Sequence, residues 1–193
     1  MLVRPAARAL CPPSGRRRDE SRGDGIVSAS AATVIRLVPG VLDAVRRHAR
    51  RAYPHECCGA LVGCAAERAG GEGLVVRAVP LENAERVAPG LGYSIPAPVV
   101  RRVERDAAEE GLELVGFYHS HPNGAAEPSR VDRENAWPWY NYLIVAVADG
   151  EPGDVRVWRL AEDRSRFDAV AIMVEDADRA WRIHHGGRGR MRR

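Results

Sequence analysis

The 193-residue chain contains no lysine; its 29 cationic side chains other than histidine are all arginine. Codon usage in a GC-rich genome accounts for that bias. Cysteine is scarce as well, with Cys11, Cys57, Cys58 and Cys64 and no even, spaced framework. Cys57 and Cys58 are adjacent and poorly placed to bridge each other, which excludes a disulfide-stapled scaffold and favours a reducing compartment. A cysteine-rich zinc site stays as an alternative, though no C-x-x-C pair occurs. The role left for Cys57 and Cys58 is small, buried packing. Long apolar runs are missing. The longest, Leu143 to Ala148, is strand-length and far short of the ~20 residues a membrane helix needs. Residues 1–25 lack the apolar stretch of a signal peptide. These absences predict a cytoplasmic protein with no membrane partner.

The net charge of +3 is unevenly laid out. Residues 1–25 carry six arginines against three acids, and residues 182–193 carry five arginines and no acid. The stretch between them holds 18 arginines against 23 acids, a net of −5. A nucleic-acid face needs basic residues clustered on the folded body, so nucleic acid is not expected as a partner. Length predicts one domain, and 45% hydrophobic residues give it material for a core. The expected layout is a disordered extension over 1–30, one domain over 31–176, and a basic, disordered tail over 177–193. A start codon assigned too far upstream would equally explain residues 1–25. His184 and His185, in the tail, are expected to be inert.

Hydrophobic periodicity predicts strands over 33–38, 58–64, 74–81, 112–121, 142–148, 154–160 and 167–174. Val41, Leu42, Val45, Ala49 and Ala52 mark one face of a helix, with His48 among its charged residues on the solvated side. A second helix runs from Pro96 or Ala97 to Glu110, and a short one from Ser129 to about Trp137. Asp149-Gly150 and Pro152-Gly153 read as turns, Asn83 to Gly92 as a loop in which Asn83 has a structural role, and Tyr93 to Ile95 as a short extended piece. Trp137, Trp139 and Tyr140 read as core, with a substrate groove as the alternative. There is no internal repeat. Strands and helices in this order predict an α/β layered domain with helices on a mixed sheet.

One stretch carries chemistry. Gly116-Phe117-Tyr118-His119-Ser120-His121-Pro122 ends a strand, so His119 and His121 share a face and Ser120 points the other way. Pro122, Asn123, Gly124 and Pro128 break the chain into a loop. Ser129 is placed as a helix N-cap, with Asp132 in the first turn. Two imidazoles and a nearby carboxylate can form a three-ligand zinc site that leaves its fourth position to water. The same residues also fit a chance histidine pair and a capping-box variant, S-x-x-D.

The whole string resembles the signature of the JAMM, or MPN-plus, metalloprotease family. That signature is His-x-His-Pro, a Ser eight residues after the second His, and an Asp three further on. Here those are His119, His121, Pro122, Ser129 and Asp132. The family's upstream Glu, near a Cys-Gly pair at a strand start, matches Glu56 in Glu56-Cys57-Cys58-Gly59. The resemblance runs from about Thr33 to Val174, with no departure at these positions. It implies the JAMM fold, similar to cytidine deaminase, in which a curved mixed sheet wraps a long helix. It implies one zinc ion per chain on His119, His121 and Asp132, with Glu56 as general base and Ser129 donating to the oxyanion. A protease that reverses conjugation to lysines would, in this chain, offer no lysine of its own.

The bacterial single-domain members it resembles are similar to peptidases acting on ubiquitin-like sulfur-carrier proteins. They cut after the carrier's C-terminal Gly-Gly and release cysteine or a short extension. The expected partner is therefore a ubiquitin-like sulfur-carrier protein, docked by strand addition at a sheet edge; a homodimer is compatible with the reading. The alternatives are a deconjugating isopeptidase, a non-catalytic MPN scaffold, and a nucleic-acid-associated protein of the related RadC type.

Overall fold

The computed structural model describes residues 33–65, 73–85 and 92–175. The expectations for 1–30, for 177–193, and for Cys11, His184 and His185 lie outside them. Alternating burial makes β1 (Val34–Leu37), with Ile35 and Leu37 turned inward. Val41, Val45 and Ala49, spaced four apart, give α1 (Val41–Ala52) its buried stripe. Gly40, with φ of 89°, makes the left-handed turn that starts it. Next come β2 (Cys58–Cys64), β3 (Gly73–Leu81) and α2 (Ala97–Glu109), whose N-cap is Pro96 and whose inner face is Val100, Val103 and Ala107. Then follow β4 (Glu113–Pro122), α3 (Arg130–Asn135), β5 (Asn141–Ala148), β6 (Glu151–Leu160) and β7 (Phe167–Val174). None of these helices is long and apolar enough to cross a membrane.

All residues of β2 are buried, because helices cover both faces of the sheet there. Leu61 packs into a cluster with Val41, Val45 and Ala49 of α1 and with Leu37, Tyr118, Leu143 and Val157. Ala60, Val62 and Cys64 point the other way, against Val103 and Ala107 of α2. One apolar run therefore serves two cores, which is why it shows no polar alternation. Cys57 and Cys58 are free and buried, as expected of packing residues, and Cys64 is buried too.

The sheet is mixed and curved, and it closes in the order β1-β3-β2-β4-β5-β6-β7. Closure is made by β1 lying parallel to β7, with Val34 beside Ala171 and Leu37 beside Val174. Beyond that pairing, Glu175 donates its N–H to the Leu37 carbonyl and forms an ion pair with Arg36 at 3.1 Å. A pairing between strands more than 130 residues apart has no signature in local pattern. One turn assignment is corrected. Pro152 and Gly153 are not a turn but lie inside β6, where the β5–β6 register shifts between Val145 and Val147. Proline is tolerated at such an irregularity. The chain reversal is made by Asp149 and Gly150 alone, with φ of 50° and 84°. Two successive left-handed residues are what a two-residue hairpin requires.

Gly63 shows how tightly β2 is held. A Cβ there would overlap the carbonyl oxygen of Leu74 on the adjacent strand. Backbone cannot swing aside as a side chain can. Gly63→Ala should lower stability by about 1–3 kcal/mol, the usual cost of overpacking. Urea unfolding measures it, and an unchanged midpoint would show that β2 and β3 can separate there at no cost.

Candidate metal centre

β4 is flanked by β2 on one side, antiparallel, and by β5 on the other, parallel. β5 pairs with it through Pro122 and β2 as far as His119, so the backbone of His119 to Pro122 is held in an extended form. Period-two alternation then puts the His119 and His121 rings on one face. Ser120 points the opposite way, toward α1. His119 is only 1% exposed. His121 sits at the mouth of the loop that follows. Its Nδ1–H donates to the Ala125 carbonyl at 2.9 Å, and the indole N–H of Trp158 holds the next carbonyl, Ala126, at 2.9 Å. The His121 ring is thus fixed with its Nε2 toward His119 and Asp132.

Asp132 arrives from α3. Ser129 caps that helix: its Oγ accepts the Asp132 N–H at 3.1 Å, and Asp132 Oδ2 accepts the Ser129 N–H at 2.7 Å. The capping box orients the Asp132 carboxylate as well as starting the helix. His119 Nε2 lies 3.0 Å from His121 Nε2 and 3.2 Å from Asp132 Oδ1, and His121 Nε2 lies 3.5 Å from Asp132 Oδ2. A tetrahedral ion with bonds of about 2.0–2.1 Å separates its ligand atoms by about 3.3 Å. The three donors therefore form a face of the right size for a small divalent cation. Burial alone would raise the Asp132 pKa, but hydrogen bonding to His119 and His121 and the Ser129 cap hold it well below the usual carboxylate range. The carboxylate is a ready-made anionic ligand.

Glu56 precedes β2 and is 8% exposed. Burial pushes its carboxyl upward, against the pull of His119 and His121 and of a backbone bond from Gly92, while Asp132 adds to the rise. It lies within electrostatic reach of all three donors and takes no place among them. Two bonds hold it there through its neighbour. The Cys57 N–H donates to Ser120 Oγ at 2.9 Å, and the Ser120 N–H donates to the Cys57 carbonyl at 3.1 Å. From the other side, Asn83 Nδ2 donates to the Glu56 carbonyl at 3.2 Å. The residue between the two histidines thus fastens the carboxylate's segment to the histidines' strand.

Residues 39–161 match the family of prokaryotic homologs of the JAB domain. The chain belongs to that family. It is 34% identical to the CysO-cysteine peptidase of Mycobacterium tuberculosis, over 70% of this chain and 88% of that one. It is also 34% identical to the desampylase of Haloferax volcanii, over 56% of this chain and 77% of that one. A solution structure of a protein from Salinibacter ruber superposes with a TM-score of 0.59 at 36% identity, covering 75% of this chain and 94% of that one.

In this JAB domain His119, His121 and Asp132 come together, with Ser129 bonded to Asp132 and Glu56 within electrostatic reach, but several neighbours differ from expectation. His48 is not on a solvated face: its Nδ1 is bonded to the Tyr118 hydroxyl at 2.9 Å, and burial lowers its pKa, with Arg51 adding to the effect. Trp139 is not core but 51% exposed, stacked on Trp137 at 5.1 Å, while Tyr140 is buried. His55, beside Glu56 in sequence, is exposed. Asn83 has its expected turn role and one more, its bond to Glu56. Tyr93, read only as an extended piece, stacks on His119 with ring centroids 4.5 Å apart. Sequence carried no signal for that contact, since Tyr93 lies outside every regular element.

Ser120→Ala in the JAB domain would leave the buried Cys57 N–H without its acceptor. Loss of about 1–3 kcal/mol is expected for such a group. Chemical denaturation of the full chain reads it, and a change under a few tenths would mean the clamp adds nothing.

Proposed function

We propose that this JAB domain is a zinc-dependent peptidase acting on a ubiquitin-like sulfur-carrier protein. It hydrolyses the bond after the carrier's C-terminal Gly-Gly and releases cysteine or a short extension. The reading rests on one observation: the triangle of His119, His121 and Asp132, with Glu56 buried beside it. Two imidazoles and one carboxylate suit zinc, one ion per chain. Bound there, zinc would lower the pKa of a water molecule from about 15.7 to about 7 and so supply a nucleophile at neutral pH. Glu56 would be the group that takes a proton from the attacking water and gives one to the leaving amine. Its raised pKa brings the carboxyl nearer the pH at which it must both accept and give. Ser129 Oγ spends a lone pair on the Asp132 N–H, so its own O–H remains to donate to the carbonyl oxygen as charge develops.

The substrate class draws support from the name of the mycobacterial relative, a CysO-cysteine peptidase. The name desampylase is the ground for a second reading, release of a ubiquitin-like protein from a protein conjugate. A docked tail meets a closed sheet. Among the described residues, β1 pairs with β3 only over Gly73 to Val75, which leaves the outer edge of Val76 to Leu81 for strand addition. Buried, free Cys57 and Cys58 suit the cytoplasm.

Elemental analysis should find about one zinc per chain, and His119→Ala should abolish it. Glu56→Gln should keep the zinc and the fold yet lose about 10²–10⁴ in turnover, the usual contribution of a positioned base. Full activity in that variant removes Glu56 from the mechanism. A carrier–cysteine adduct and a carrier–protein isopeptide, assayed side by side, should show faster cleavage of the former; the reverse order selects the deconjugating reading.

A further inference from the structure

The two histidines are supported in different ways. A metal-ligating histidine usually donates its second ring N–H to a carbonyl or carboxylate, which fixes the plane of the ring. His121 follows that rule through Ala125. His119 does not: its Nδ1 is buried and has no hydrogen-bond partner among the described residues. What lies against His119 is the ring of Tyr93, at 4.5 Å between centroids and 29° between planes. A stacked ring restricts rotation about the same bond that a hydrogen bond would restrict.

Tyr93 is itself held from both sides by one side chain. Asn83 Nδ2 donates to the Gly92 carbonyl at 3.3 Å, and Asn83 Oδ1 accepts the Ser94 N–H at 3.1 Å. The Ala84 N–H adds a bond to the Ser94 carbonyl at 3.0 Å. The same Asn83 amide reaches the Glu56 carbonyl. Gly92 to Ile95 belong to no strand or helix, so side-chain bonds must supply the order that a ladder supplies elsewhere.

We infer that Tyr93 is a positioning residue, bracketed by Asn83, that holds the His119 ring in its ligating orientation by stacking. This rests on the zinc reading above. The aromatic face does the work, and the phenol oxygen is not required. Asn83 then serves both halves of the site, the base through its backbone and the ligand through Tyr93.

Zinc affinity of the purified full chain, measured by competition with a chromophoric chelator, tests this without any substrate. Tyr93→Leu should weaken zinc binding about 10–100-fold, the range seen when a ligand's support is removed. Tyr93→Phe should stay within about twofold of the parent. Cobalt(II) absorption should change band shape in Tyr93→Leu and not in Tyr93→Phe. Asn83→Ala keeps the ring but frees its segment; it should weaken binding in the same direction, and less than additively when combined with Tyr93→Leu. It also serves if Tyr93→Leu fails to fold, as circular dichroism of the metal-free proteins will show. Parent-like affinity and spectrum in a folded Tyr93→Leu or Asn83→Ala overturn the inference, as does Tyr93→Phe behaving like Tyr93→Leu. A parent chain that takes up no zinc overturns the metal centre itself, a separate and recognisable outcome.

Discussion

The antiparallel pairing of β2 with β4 is the constraint on which the site depends. It sets Cys58 opposite His119 and so brings the start of one strand to the end of the other. Glu56, two residues before Cys58, is carried to the ligands across 63 residues of sequence. A one-residue slip in this register would turn both imidazoles toward α1 and send Ser120 to the metal face. Register is protected because β2 is buried on both faces, so a one-residue slip would put its side chains into the wrong cores. The Cys57–Ser120 bonds add a local check at the open end of the pair. The stability of the two cores and the geometry of the centre are in this sense one property.

The centre concentrates groups that elsewhere would be costly. His119 and Glu56 are buried, and Asp132 is largely so. Each has its charge managed by a different device. Asp132 is stabilised as an anion by the imidazoles and by the α3 cap. Glu56 is pushed toward its neutral form by burial. Two carboxylates close together with pKa values moved apart are what the proposed division of roles, one on a metal and one in proton transfer, requires. Helix α3 has six residues, none of them buried; its capping box, rather than core packing, decides where its carboxylate points. Arginines tie it to the segment between β6 and β7: Arg164 donates to the Ala136 and Glu134 carbonyls, and Arg133 of α3 donates to that of Ser165.

Support around the centre is drawn from segments with no regular structure. Asn83 joins the end of β3, the Gly92–Ser94 segment and the Glu56 backbone in one set of bonds. The loop after β4 does the equivalent for His121, with Trp158 reaching across from β6. Irregular backbone must find its hydrogen-bond partners in side chains, and here those side chains link the ligands to the frame.

Several things were legible in the residues alone. The spacing of His119, His121, Ser129 and Asp132 encodes two periodicities, a strand's and a helix's first turn, and both are local. The apolar stripes of α1 and α2 and the runs of β2, β4, β5 and β7 are local too, and their bounds fell within a residue or two of the pattern. What only the tertiary structure decided depends on contacts between distant segments. Closure of β1 on β7, the burial of Glu56, the turn of His48 toward Tyr118, the exposure of Trp139 and the stacking of Tyr93 on His119 all depend on which surfaces meet. Periodicity states which way a side chain points within its own element. It carries no information about what stands on the other side.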